Sequence, residues 1–247
     1  MSIASIQGLT LATLDRTDFG IEQTKSTGGG PSAVVNAGSL VGFEGGISED
    51  EQEDILYSLQ FAQRAASGAA DRFTQIKGWY TKYVEVLTDV GWTLKNFDLN
   101  EQKVDQSEVE VAKAALEILA AAATGPQSVV LLAAIKALKG MAKEDGFITL
   151  FEHYGAQGLI GNFQVSDVAR GPNHELNITT GAFQIKMEER QDGFLFVKWH
   201  KKGVSVWGSA TTASFNRQTY AEVRDTVKQM LGAYARKAIA EVPLKLD

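Results

Sequence analysis

The stretch from Leu176 to Ser214 constrains the fold most, because its apolar side chains fall on both alternations of an extended chain. Leu176 and Ile178 share one parity and Phe183, Ile185 and Met187 the other, while Phe194-Leu-Phe-Val-Lys-Trp199 is apolar on both. Strands of that kind need cover on two sides. Gln191-Asp192-Gly193 and Lys201-Lys202-Gly203 separate the runs, and Gly171-Pro172-Asn173 turns the chain into them from an alternating segment, Phe163–Val168. Tight turns of this type join antiparallel neighbours. The opposed parities across Thr180-Gly181 predict a β-bulge there. A hairpin-joined strand block covered on both sides predicts an α/β fold: a single three-layer domain with a mainly antiparallel sheet between two layers of helices.

The helices that would supply those layers are signed in the sequence. Ser48 and Glu51 make a capping box ahead of Ile55, Leu56, Leu59, Ala62, Ala65 and Ala66 at helical spacing. Phe73, Ile76, Tyr80, Tyr83 and Leu87 predict a second helix, closed by Gly91, and Trp92–Leu99 alternates like a strand. Val109–Met141 predicts an apolar helical hairpin turned at Gly125-Pro126. Residues 147–154 fit a short strand or a helical turn equally well. A last helix, capped by Asn216, is predicted to run from Tyr220 to Ile239 and to stop at Pro243. Residues 1–46 hold nine of the 24 glycines and predict a flexible Gly-rich lead-in with one short strand near Ala33–Asn36. The folded domain is then expected over 47–247.

Composition excludes several classes of function. The chain has 247 residues with 24 basic and 30 acidic side chains, a net charge of −6. Binding a phosphate backbone needs concentrated positive charge, so no nucleic-acid partner is expected. Cysteine is absent, which removes disulfides, thiolate metal sites and a cysteine nucleophile. His153, His174 and His200 fall in no metal-ligand spacing, and no nucleophile elbow, Walker loop or dinucleotide fingerprint is present. No cofactor, metal or catalytic residue is assigned and an enzyme is not expected, although a catalytic pair assembled only in three dimensions would leave no motif. The N-terminus lacks a basic region before an apolar run, so no Sec signal peptide is expected. The chain is expected to be made soluble and to act outside the cell after release or secretion.

Two features carry a second reading beside ordinary core packing. The hairpin Val109–Met141 has arms too short for a 30 Å hydrocarbon layer, but it could move aside and uncover the sheet. Leu116, Leu119, Val130, Leu132 and Ile135 are the residues expected to form that mobile cover. The strands beneath concentrate Phe183, Ile185, Phe194, Phe196, Trp199 and Trp207, the side chains expected to meet lipid. Lipid would win that face only by gaining more from the open state than the helices gain from the closed one. The alternative partner is a fatty acid or similar apolar ligand held between sheet and helices without lysis.

The run Gly91-Trp-Thr-Leu-Lys-Asn-Phe-Asp-Leu-Asn-Glu-Gln-Lys-Val-Asp-Gln-Ser-Glu-Val-Glu-Val-Ala-Lys-Ala-Ala-Leu-Glu-Ile-Leu119 resembles a segment of the Cyt cytolytic delta-endotoxins. Gly181-Ala-Phe-Gln-Ile-Lys186 is similar to that family's Gly-aromatic-Glu-Ile-Lys strand, and the order of elements agrees from about residue 48 to 231. The Erwinia virulence factor is a second relative of the same layered, Cyt-like fold. The resemblance implies a bacterial, toxin-like virulence protein that binds and permeabilises target-cell membranes and forms pores as a homo-oligomer, often after trimming of its termini. It implies no catalytic site, and no side chain carries over singly. This chain departs from the pattern in the lysines of its late sheet (Lys186, Lys198, Lys201, Lys202) and in a long, charged last helix.

Overall fold

The computed structural model describes residues 3–14, 17–21, 29–94, 100–101, 108–122, 129–141, 145–189, 193, 195–196, 198–200 and 204–244. Its strands are β1 (Ser32–Asn36), β2 (Ser39–Phe43), β3 (Trp92–Leu94), β4 (Asn100–Glu101), β5 (Glu108–Glu110), β6 (Ala156–Gln157), β7 (Ile160–Arg170), β8 (Leu176–Met187), β9 (Lys198–His200), β10 (Val204–Phe215) and β11 (Ile239–Val242). Its helices are α1 (Ile3–Gln7), α2 (Glu49–Ala69), α3 (Ile76–Asp89), α4 (Val111–Ala122), α5 (Val129–Gly140), α6 (Phe147–Gly155) and α7 (Arg217–Leu231). The large sheet runs β11-β1-β2-β7-β8-β10-β3, with β4 and β6 on its margins. Only the β2–β7 neighbours along that path are parallel. The predicted three-layer α/β architecture is therefore present, with α1, α2, α3 and α7 packed on one face and α4, α5 and α6 on the other.

No bulge interrupts β8. Its pairing is continuous with β7 from Lys186 to Leu176 and with β10 from Met187 to Leu176. The parity change has another cause. Leu176, Ile178 and Ala182 enter the core under α2, α3 and α7, whereas Phe183, Ile185 and Met187 enter the core under α4–α6. A regular strand changes which layer receives its large side chains, because both faces are covered.

Residues 32–43 correct the expected boundary at 46. β1 and β2 lie inside the sheet, linking β11 to β7, and Ala33, Val35, Val41 and Phe43 are fully buried. Ile6 of α1 is fully buried as well. The strand expected near Ala33–Asn36 is β1, and the glycines of this region had masked its neighbour β2. Phe194–Trp199 is a second correction. Residues 195 and 196 form a turn, Phe196 donating its N–H to Gly193 O at 2.8 Å, and β9 pairs with β5 in a separate two-stranded sheet. The last helix ends earlier than expected, at Leu231, because Gly232 takes φ 74°, a left-handed value that costs glycine little. A 3-10 turn at Ala235–Ala238 then delivers β11 onto β1. The ambiguous segment 147–154 is the helix α6.

Both predicted caps form. Ser48 Oγ accepts from Glu51 N at 3.4 Å while Ser48 N donates to Glu51 Oε2 at 2.9 Å, and Asn216 Oδ1 accepts from Thr219 N at 3.1 Å. The α2/α3/α7 layer is also fastened by buried polar bonds. Asn36 donates to Leu56 O at 2.9 Å, Gln60 to Ala235 O at 3.0 Å, and Trp92 Nε1 to Ser58 Oγ at 2.9 Å. The buried Arg72 donates to Asn162 O, Gln63 Oε1, Gly38 O and Gln164 Oε1, and its guanidinium lies 4.7 Å from the Trp79 ring centroid. Burial holds that guanidinium down to about 10, still charged at neutral pH. At the rim, Asp54 binds Arg217 and Arg224, Glu51 binds Arg170 and Arg217, and Glu53 binds Lys228 and Arg236. The charges of α7 thus clamp α2.

Candidate functional site: a helical hairpin seated on the sheet

α4 and α5 occupy the opposite face, and their sequences explain how they sit there. Both are built of strong helix formers, with alanine recurring on the inward side: Ala112, Ala115 and Leu119 on α4; Val130, Leu131, Ala134, Ile135 and Leu138 on α5. Small residues let the helices approach closely, and the sheet answers with three glycines. A methyl group on Gly181 would lie 3.1 Å from Leu119 Cγ, one on Gly208 3.1 Å from Ile118 Cδ1, and one on Gly42 3.1 Å from Leu131 Cδ2. The helices rest where the sheet has no side chains.

The expected cover and the expected strands meet here. Phe183, Ile185, Leu119, Val130 and Ile135 share one buried core, with Leu116 and Phe196 packed against it. Phe183 stacks on Phe163 with ring centroids 5.3 Å apart. Leu132 is a correction: it faces solvent at 56% exposure, beside Val129 at 60%. It lies one residue past the inward Leu131, so the helix turns it outward. Phe194 and the side chains of Trp199 and Trp207 lie outside the described residues. Backbone pairing places Trp199 opposite Val109 in the small sheet and Trp207 opposite Gln184 in the large one.

The two layers differ in how they are held. Among the described residues, neither α4 nor α5 sends a side-chain hydrogen bond or ion pair to a strand of the large sheet. Lys139 binds Glu110 at 2.8 Å on the small sheet, and Lys113–Glu117 lies within α4. One backbone bond, Ala112 N to Leu195 O at 2.9 Å, pins the start of α4. The void between hairpin and sheet, lined by residues including Leu40, Ile135, Phe151 and Phe163, measures about 10 Å³. That is at or below the space one water needs, so an acyl chain fits there only if the hairpin lifts.

Asp167 is the residue that the sequence reading did not single out. It follows Phe163 and Val165 on the same parity of β7, so it points toward the hairpin layer from a strand where its neighbours are apolar. That parity was the signal available. It is 4% exposed, and neither carboxyl oxygen has a hydrogen-bond partner. A methyl group on Gly42 would lie 3.1 Å from Asp167 Oδ1 and 3.1 Å from Leu131 Cδ2 alike, which sets the carboxyl beside α5. Burial, with Glu44 repelling it, pushes this carboxyl up to about 8. The sheet also carries an open trough of about 630 Å³, lined by Thr93, Glu175, Asn177, Thr212, Phe215 and Arg217 among others.

Among the described residues no three metal-ligating side chains cluster, and no helix is long and apolar enough to cross a membrane. The chain is a three-layer α/β protein whose α2/α3/α7 layer carries buried polar bonds and whose α4–α5 hairpin, among the described residues, meets the large sheet through apolar side chains. Its fold is similar to that of a solved delta-endotoxin, 13% identical over 83% of this chain and 90% of that one, with a TM-score of 0.42. It is also similar to the Evf virulence factor, 12% identical over 84% of this chain and 85% of that one, with a TM-score of 0.31. Both are of the kinds the sequence resembles. No family model matches the sequence, and no curated protein does.

Proposed function

We propose that the protein is a toxin-like, membrane-active factor that engages lipid through the α4–α5 hairpin, without catalysis. The asymmetry between its layers carries this reading: among the described residues, the hairpin sends no side-chain hydrogen bond or ion pair to the large sheet, and the Ala112–Leu195 backbone bond ties down only the start of α4. Its outer face supplies a first contact. Val129 and Leu132 stand exposed one turn apart, with Lys136 following on the same face, a pattern suited to the headgroup boundary. Lifting the hairpin would uncover Phe183 and Ile185 for lipid, and oligomers on the membrane could follow. Among the described residues, the void lined by Leu40, Ile135, Phe151 and Phe163 leaves no room for an acyl chain in the closed state.

Two experiments test it. Because the chain has no cysteine, Gly42→Cys with Leu131→Cys makes a clean lock: a Cβ on Gly42 lies 3.2 Å from Leu131 Cγ, within disulfide reach after slight adjustment. Dye release from liposomes is expected from the reduced pair, is lost on oxidation and returns with reductant. Equal release from both forms would show that the hairpin is not the moving part, and no release from any form would sink permeabilisation. Separately, Leu132→Asp should weaken vesicle binding about tenfold or more, since a buried leucine contributes roughly 1.5–3 kcal/mol. Thermal stability should stay unchanged, because the position is exposed; unaltered co-sedimentation would remove α5's outer face from the contact.

A further inference from the structure

We propose that Asp167 is a proton-operated latch, holding the α4–α5 hairpin on the sheet while its carboxyl is protonated and releasing the hairpin when it ionises. This rests on the reading of the hairpin as the separable layer and assigns the control of that separation to one side chain. The carboxyl is walled in by Gly42 of β2, Leu131 of α5 and Thr179 opposite it on β8. Neither oxygen finds a donor there.

Of the charged groups on the surrounding elements, Glu44, the residue after β2, acts on it, and that action is repulsive. α5 offers no compensation, since Lys136 is exposed and Lys139 is bound to Glu110. On α4, Lys113 and Glu117 pair with each other at the surface. A neutral acid is tolerable in such a place, while an unpartnered carboxylate is far costlier. Separation of α5 is the movement that would admit water to it.

The sign follows from linkage. The closed form binds the proton more tightly than an open form in which Asp167 meets water. Closure is therefore fully favoured below the ordinary aspartate range and weakens as pH rises toward about 8. Between the ordinary range and that value the population of opened hairpin grows about tenfold per pH unit, and it levels off above. By reciprocity, anything that stabilises the open hairpin promotes loss of the proton. Alkaline conditions arm the protein.

Hydrogen exchange on the whole chain without lipid tests this, with α5 amides followed at pH 5.5, 6.5, 7.5 and 9 and corrected for intrinsic rates. The expected result is α5 protection falling about tenfold per unit up to about pH 8 while α2 and α3 amides hold steady. In Asp167→Asn the α5 protection should be flat across the range. Constant α5 protection to pH 9 in the wild type, or an equal fall in both proteins, overturns the latch. If the Asn variant does not fold, infrared spectroscopy of the wild type decides. A protonated-carboxyl band that persists at pH 7 and disappears by pH 9 supports the latch, and its absence at pH 7 overturns it. Dye release at pH 6 and 9 keeps the two readings apart. A working latch without release would remove the membrane role alone. Release with no pH dependence of α5 exchange would remove the latch alone.

Discussion

A fragment comprising residues 47–247 should fail to fold, whereas 29–247 should fold cooperatively. The shorter fragment loses β1 and β2, and with them the buried side chains of Val34, Val35, Leu40, Val41 and Phe43. At roughly 1.5–3 kcal/mol per side chain, the loss is on the order of 10 kcal/mol, comparable to the whole stability of an ordinary domain at about 5–15 kcal/mol. It also strips β7 and β11 of paired neighbours. The longer fragment gives up Ile6, the partly buried Leu9, Leu11, Phe19 and Ile21, and the bonds of Ala12 to Arg64, a smaller loss that leaves every strand of the large sheet in place. Circular dichroism and urea denaturation would separate the cases. A cooperative transition in 47–247 would mean that the sheet tolerates losing two interior strands. Any trimming that activates this protein is thus expected ahead of Ser32.

Replacement of Arg72 by alanine should cost about 4 kcal/mol. The guanidinium is the shared donor for Asn162 O, Gly38 O, Gln63 Oε1 and Gln164 Oε1, and a buried acceptor stripped of its partner costs about 1–3 kcal/mol. Some of these would pair with one another or with water, so the sum is smaller than four full penalties. With a urea slope of about 2–3 kcal/mol per molar, the midpoint should fall by roughly 1.5 M. Arg72→Lys should recover part of the loss, because an ammonium offers three donors in place of five. A midpoint within about 0.3 M of the wild type would show that the network is dispensable.

Much of this architecture could be read from local chemistry. The Ser48/Glu51 box, the Asn216 cap and the alternating runs around β7, β8 and β10 gave helices and strands close to where they lie. What escaped was set by distant partners. Ser39-Leu-Val-Gly-Phe43 is too short and glycine-broken to stand out, and it becomes a strand by pairing with β7. Ile239–Val242 continued the spacing of α7 well enough to pass as helix, until Gly232 ended the helix and β1 offered a partner. The candidate site divides the same way. The hairpin and the aromatic face beneath it were legible as composition. Asp167 was one acid among 30, and its isolation depends on Gly42 and Leu131 arriving from two other parts of the chain.

The parallel pairing of β2 with β7 bears on how the molecule is made. Ser39 reaches its side-chain partner Gln164 across 125 residues of chain, and β1 must wait for β11, near the end of the sequence. A ribosome therefore presents an apolar β-hairpin early and supplies its two flanking strands late. Until β7 emerges both edges of that hairpin stand open to other chains, and the β1 edge stays open until synthesis is nearly complete. Yield in cells should depend on chaperone capacity and on growth temperature more than the stability of the finished sheet would suggest.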